Sequence, residues 1–121
     1  MLQFFRLTGF AIILLIWVLS LVPLNQITIP GGDKLHHLIA YSSLMMVWVL
    51  ATPRRTAMQH FWMALAFMAM GLAIECAQGL TTYRFFEWAD ALANSLGVLL
   101  GWALGKLVLQ SPIARYAKLV R

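Results

Sequence analysis

The sequence predicts an all-α integral membrane bundle of four transmembrane helices, a single domain over residues 1–121, and three observations predict it. Of the 121 residues 62% are apolar and 11% charged, with a mean hydropathy of +0.81. A soluble domain carries about 25% charged and about 45–50% apolar residues, so this chain has too little polar surface to face water on all sides. Four apolar runs are separated by short segments of proline, glycine and charge, and the basic residues gather at the ends of the runs. The length leaves no room for a separate soluble module, so any chemistry must lie between the helices.

The first helix is expected over about 4–22. Its uncharged run Leu7 to Val22 is bounded by Arg6 and Pro23. It is short for the roughly 20 residues that cross about 30 Å of hydrocarbon, but Phe4 and Phe5 extend it and Arg6 can snorkel outward. After Ser20 no small-x-small cleavage site follows, which favours a retained helix over a signal peptide. Pro30, Gly31 and Gly32 interrupt the chain before a second helix, about 34–52, which closes at Pro53, Arg54 and Arg55. A third is expected over about 60–80, a polar and aromatic connection follows, and a fourth over about 89–110 closes at Ser111 and Pro112. In the tail 112–121, Ile113, Tyr116, Ala117 and Val120 can share a face opposite Arg115, Lys118 and Arg121, as in an amphipathic helix on the membrane surface. Cys76 lies inside an apolar run with no second cysteine, so it reads as helix packing.

Nine Lys and Arg against four acids give a net charge of +5. No aromatic-basic motif accompanies it, so nucleic acid is excluded as a partner. With four spans, Arg6, Arg54, Arg55, Lys106, Arg115, Lys118 and Arg121 fall on one side and Lys34 and Arg84 on the other. The positive-inside rule then puts both termini in the cytoplasm. All four acids, Asp33, Glu75, Glu87 and Asp90, fall in or near the outward half.

Helical spacing collects the polar residues onto three faces. Asp33, His37 and Tyr41 are four apart on the second helix, with Lys34 three before His37. Gly71, Glu75 and Gln78 share a face of the third helix, and Asp90, Asn94, Gly97 and Gly101 a face of the fourth. At about 1.5 Å per residue, His37 lies roughly 6 Å below Asp33, Asn94 roughly 6 Å below Asp90 and Glu75 roughly 7 Å below Leu80. The three faces are therefore expected to meet in one layer of His37, Glu75 and Asn94. A charge at membrane depth costs about 2.5–3.5 kcal/mol on insertion scales, so Glu75 is expected to face the interior and approach Lys34, His37 or Arg84. Gly97, Gly101 and Gly105, with Ala93, read as small-residue helix packing. His36 points about 100° from His37 around a helix of about 3.6 residues per turn, and His60 belongs to the opposite end, so neither joins the layer.

These residues form strings with a resemblance. Asp33, Lys34, His37, Ala40 and Tyr41 read DKxxHxxAY; Gly71, Glu75 and Gln78 read GxxxExxQ; Arg84 stands six before Asp90; and Asp90, Asn94, Gly97 and Gly101 read DxxxNxxGxxxG. In content and order, over roughly Asp33 to Gly101, the chain resembles the VanZ-like membrane protein family, named for an accessory protein of teicoplanin (glycopeptide) resistance in bacteria. It departs from that pattern at Thr82 and Tyr83, where the family usually has Pro-Gly. The resemblance implies a bacterial multispanning protein of the cytoplasmic (inner) membrane and supplies no reaction.

Two classes of function use the same residues. In the first, an enzyme, His37 is the candidate general acid or base with Asp33, Glu75 and Asp90 as the other catalytic candidates, and Lys34, Tyr41, Gln78, Arg84 and Asn94 line the substrate. Cations recognise phosphate, so the expected ligand is an anionic lipid or a lipid-linked cell-wall precursor entering an outward-facing polar pocket. In the second, a non-catalytic protein binds an envelope lipid or shields the membrane from a drug. A small transporter is a weaker third class, because no internal repeat or broken helix is visible. Asp33, Glu75 and Asp90 could hold a divalent cation, but no acid-x-acid or His-x-x-x-His signature is present, and neither metal nor cofactor is assigned. Membrane lipids and a further copy of the chain in a homo-oligomer complete the expected partners. The orientation is tested by a reporter fused after Arg121: one that works only in the cytoplasm should be active, and activity only from one that requires export would reverse the assignment.

Overall fold

A computed structural model describes residues 1–22 and 32–117. It contains α1 (Leu2–Leu21), α2 (Gly32–Ala51), α3 (Ala57–Gly79), α4 (Trp88–Gln110) and a short α5 (Pro112–Tyr116), with no strand among the described residues. The segment holding Pro23, Pro30 and Gly31, and the tail residues Lys118, Val120 and Arg121, lie outside the described residues. Of the expected surface helix, only Pro112–Tyr116 is therefore observed; Ser111 caps it by accepting from the Ala114 N–H.

The largest difference from the expected boundaries is at the start of α3, three residues earlier than the expected start at about residue 60. Thr56 caps it. The Thr56 side chain accepts from the Gln59 N–H while the Gln59 side chain accepts from the Thr56 N–H, so a reciprocal capping box satisfies two otherwise orphaned donors.

By length and composition, α1, α3 and α4 are able to cross a membrane. α2 has the length, 20 residues, but opens with Asp33, Lys34, His36 and His37 and does not reach the same apolar character. Its position explains this. α2 buries residues from His37 to Ala51, whereas α1 buries only Gly9 and Ile16. A helix surrounded by other helices need not be as apolar as one surrounded by lipid. The core combines Tyr41, Leu44, Met45 and Val49 of α2 with Ile16 of α1, Phe67 and Ile74 of α3 and Val98 of α4. Large apolar side chains such as Phe10, Leu14, Trp62 and Leu107 point outward, as a lipid-facing surface requires.

The helices run up and down in turn, so α2 and α4 are parallel, and they form the most extensive contact in the bundle. Glycines make the approach feasible. A Cβ on Gly97 would stand 2.6 Å from the Leu38 carbonyl oxygen, on Gly101 2.1 Å from that of Ser42, and on Gly105 2.8 Å from the Val49 Cβ. Backbone lies against backbone, and the register of α4 on α2 is fixed turn by turn. α1 meets the bundle through Trp48, whose ring stands edge-on to Phe10 at 5.1 Å and covers Gly9.

A methyl group at Gly101 would meet a carbonyl that can move only with its helix. Gly101→Ala is therefore expected to lower stability by about 1–3 kcal/mol, the usual cost of overpacking. Leu104→Ala, on the outward side of the same helix, should stay within about 0.5 kcal/mol. Denaturation of both variants in detergent micelles checks the difference.

Candidate functional site

The first turns of α2 and α4 and the last turns of α3 come together at one end of the bundle. Asp33 and Asp90 each sit in a first helical turn, where the backbone N–H groups favour negative charge. Glu75 lies near the C-terminal end of α3, where the helix dipole disfavours negative charge.

His37 is the hub. Its Nε2 lies 3.7 Å from Asp33 Oδ1, 3.8 Å from Asp90 Oδ2 and 3.9 Å from Glu75 Oε1. The expected approach of Glu75 to His37 is thus observed, at ion-pair rather than hydrogen-bond distance. Above this centre stand the two cations. Arg84 Nη2 donates to Asp33 Oδ2 at 3.0 Å and lies 4.0 Å from Asp90 Oδ2. Lys34 Nζ donates to Glu87 Oε2 at 3.2 Å and lies 3.8 Å from Asp90 Oδ1. Exposure falls steeply from rim to floor: the side chains of Asp33, Lys34 and Glu87 are about half exposed, those of Asp90 and Glu75 2% and 0%.

The depth ordering differs from the expected one by a turn. Asp90, not Asn94, is level with His37 and Glu75. Asn94 lies one turn deeper beside Tyr41 and Gly71, where a Cβ on Gly71 would be 3.0 Å from Asn94 Nδ2 and 3.2 Å from the Tyr41 hydroxyl. The glycine seam is not offset: Gly97 lies seven residues after Asp90 and rests against Leu38 to Ser42, five to nine after Asp33, so the first turns of α2 and α4 are level. It is the long His37 side chain, leaning toward the start of its helix, that reaches Asp90. Two stacked levels result, His37 with Glu75 and Asp90, then Tyr41 with Gly71 and Asn94.

Gln78 turns away from the centre. Its Nε2 donates to the Ser20 carbonyl of α1 at 2.7 Å. Tyr83, one of the two residues at the departure from the Pro-Gly pattern, donates its hydroxyl to the Leu21 carbonyl. His36 is exposed, and His60 is buried at the other end of the bundle against Thr52 Oγ1 at 3.2 Å. Cys76 is exposed rather than packed, because one residue beyond Glu75 the helix has turned toward the outside.

Two participants escaped the sequence reading as site residues. Glu87 stands at the start of α4, three residues before Asp90, and its side chain caps nothing there but pairs with Lys34. Its three-residue spacing from Asp90 could have placed it on the same face. The helix α1 carbonyls carry no signal in side-chain patterns. Surface depressions lie at the far end of the bundle, one among Arg6, Thr52, Pro53, Arg54 and Arg55 and one among Pro112, Arg115 and Tyr116.

Several buried polar atoms have no hydrogen-bond partner among the described residues: both Glu75 oxygens, Asp90 Oδ1, the Tyr41 hydroxyl and both side-chain polar atoms of Asn94. Such groups are normally paired, and each calls for a further partner, as water, an ion or a ligand group supplies. Asp33, His37 and Asp90 each offer a ligand atom, all within 4.8 Å of one another, so the geometric trio includes His37 where the sequence suggested Glu75.

A family model described as VanZ/LLP1 matches residues 2–109, and the chain belongs to that family. No curated protein and no solved structure matches the chain.

The polar contacts divide into ties between helices and exposed pairs. Gln78→Leu removes the donor to Ser20 and is expected to cost about 1 kcal/mol or more, since it leaves a carbonyl between α1 and α3 unsatisfied. Lys34→Gln, which breaks half-exposed pairs, should cost less than about 1 kcal/mol. Unfolding midpoints in detergent rank the two.

Proposed function

We propose that this VanZ/LLP1 chain is a four-span protein of the bacterial cytoplasmic membrane, with both termini inside, whose polar centre binds the head group of a phosphorylated or lipid-linked envelope component. The span count adds α2, 20 residues long and parallel to α4, to the three apolar helices. The orientation is supported by the seven-to-two division of basic residues.

One observation carries the ligand reading: two cations at the rim, Lys34 and Arg84, stand over carboxylates and an imidazole that the bundle encloses. Anionic oxygens arriving from the outer leaflet would compete with Glu87 and Asp33 for these cations, both exchangeable because their acidic partners are half exposed. His37, flanked by three carboxylates, is placed to accept or deliver a proton if bond chemistry follows, with Asp33, Glu75 and Asp90 orienting it. A link to glycopeptide resistance follows from the family, through a change in the abundance or accessibility of an envelope component. In a second reading the same residues bind and shield such a component without chemistry, since the exchangeable rim cations serve capture alone equally well.

The experiment compares envelope lipids by mass spectrometry in cells with and without the protein, and in cells carrying near-isosteric variants. Glu75→Gln and Asp90→Asn remove charge and nearly preserve volume, so a purely structural network would tolerate them. We expect normal abundance with loss of the lipid change and of any resistance phenotype. Lys34→Gln and Arg84→Gln should weaken capture of the lipid, and His37→Asn should depress turnover more than capture if a proton moves there. Full phenotype and lipid binding in all of them, at normal abundance, would reduce the centre to scaffolding.

A further inference from the structure

The geometry points to a divalent-cation site formed by Asp33, His37 and Asp90, with the buried carboxylate of Glu75 beside it. The three residues come from the first two turns of α2 and the first turn of α4, and their ligand atoms lie within 4.8 Å of one another. Clustered acids alone would be weak grounds. Here one ligand is an imidazole nitrogen, and the centre also receives two almost fully enclosed carboxylates with unpartnered oxygens: Glu75, both oxygens, and Asp90, Oδ1. A carboxylate at that depth is costly without a close cation, and among the described residues neither Lys34 nor Arg84 forms an ion pair with Glu75.

Geometry and ligand type narrow the metal. Ligand atoms about 2.0–2.2 Å from a tetrahedral zinc lie roughly 3.4 Å from one another. The separations from His37 Nε2, 3.7 and 3.8 Å to Asp33 and Asp90, need only a few tenths of an ångström of contraction, and half-exposed Asp33 is free to supply it. An octahedral magnesium would require shorter separations and an oxygen-only set, so one imidazole with carboxylates favours a transition ion such as Zn²⁺ or Mn²⁺. Three protein ligands leave a fourth position for Glu75, water or an anionic oxygen of a ligand, as in open zinc sites. Arg84 then holds Asp33 from outside, with its bond to Oδ2 leaving Oδ1 for the ion.

The test uses the full chain in detergent, stripped with a chelator and titrated with Zn²⁺ alone, with bound metal counted by mass spectrometry. One ion per chain is expected. His37→Gln and Asp90→Asn should weaken zinc by at least about 100-fold, beyond what the loss of an outer-shell partner costs. His36→Gln, exposed and adjacent in sequence, should bind as the parent does. If the variants fail to accumulate, Co²⁺ added to the parent protein decides: visible absorption of a tetrahedral nitrogen–oxygen site supports the assignment. No stoichiometric zinc in the parent, no cobalt bands, or equal affinity in His37→Gln and His36→Gln would overturn it. Lipid capture by the chelated protein is measured separately, so the metal site can fail while the ligand reading stands.

Discussion

The close approach of α2 and α4 through Gly97 and Gly101 is the constraint on which the polar centre depends. Because a Cβ at either glycine would strike a carbonyl of α2, the two backbones share one fixed register, and that register sets Asp90 beside His37. Any residue with a side chain at these positions would separate the helices or slide them. A slide of one turn would put Asn94 in place of Asp90 and replace a carboxylate with an amide opposite the imidazole. The seam and the centre are therefore one device: small residues hold the depth at which charge meets charge.

An ionic centre is an expensive fastening for apolar helices, since desolvation of its members offsets much of their attraction. The bundle limits that cost by grading exposure. Lys34, Asp33 and Glu87 keep contact with the surface, while Glu75 and Asp90 are enclosed, each within 4 Å of the His37 imidazole. The half-exposed pairs at the rim are weak and exchangeable, and the enclosed groups below are held by the packing of three helices.

Much of this was legible in the sequence because helical spacing is a local property. The faces carrying Asp33, His37 and Tyr41, or Asp90, Asn94 and Gly97, follow from four-residue intervals without knowledge of the fold. The level at which side-chain tips meet does not, because it depends on how far each side chain reaches along its helix; Asp90 starts level with Asp33, yet its carboxylate meets the imidazole of His37, which leans back from the next turn. Pairings that use backbone atoms, such as Gln78 with Ser20, leave no trace in residue patterns. The trio of Asp33, His37 and Asp90 was hidden for the same reason: two members are four apart on one helix, but the third comes from another chain segment at a distance that no motif encodes.

The attachment of α1 has a different consequence, for how freely its sequence can change. Gln78 and Tyr83 grip the carbonyls of Ser20 and Leu21, atoms that every residue possesses. Near that end the helix is held by what it has in common with all helices, while half of its residues are exposed on the outside. Apart from Gly9 and Phe10 at Trp48, the buried Ile16, and Ile12, Ile13 and Trp17 packed against the core, α1 can exchange one apolar residue for another without loosening its hold. It is expected to drift under substitution as a nearly interchangeable apolar rod, whereas α2 and α4, locked to each other atom by atom, have little such latitude.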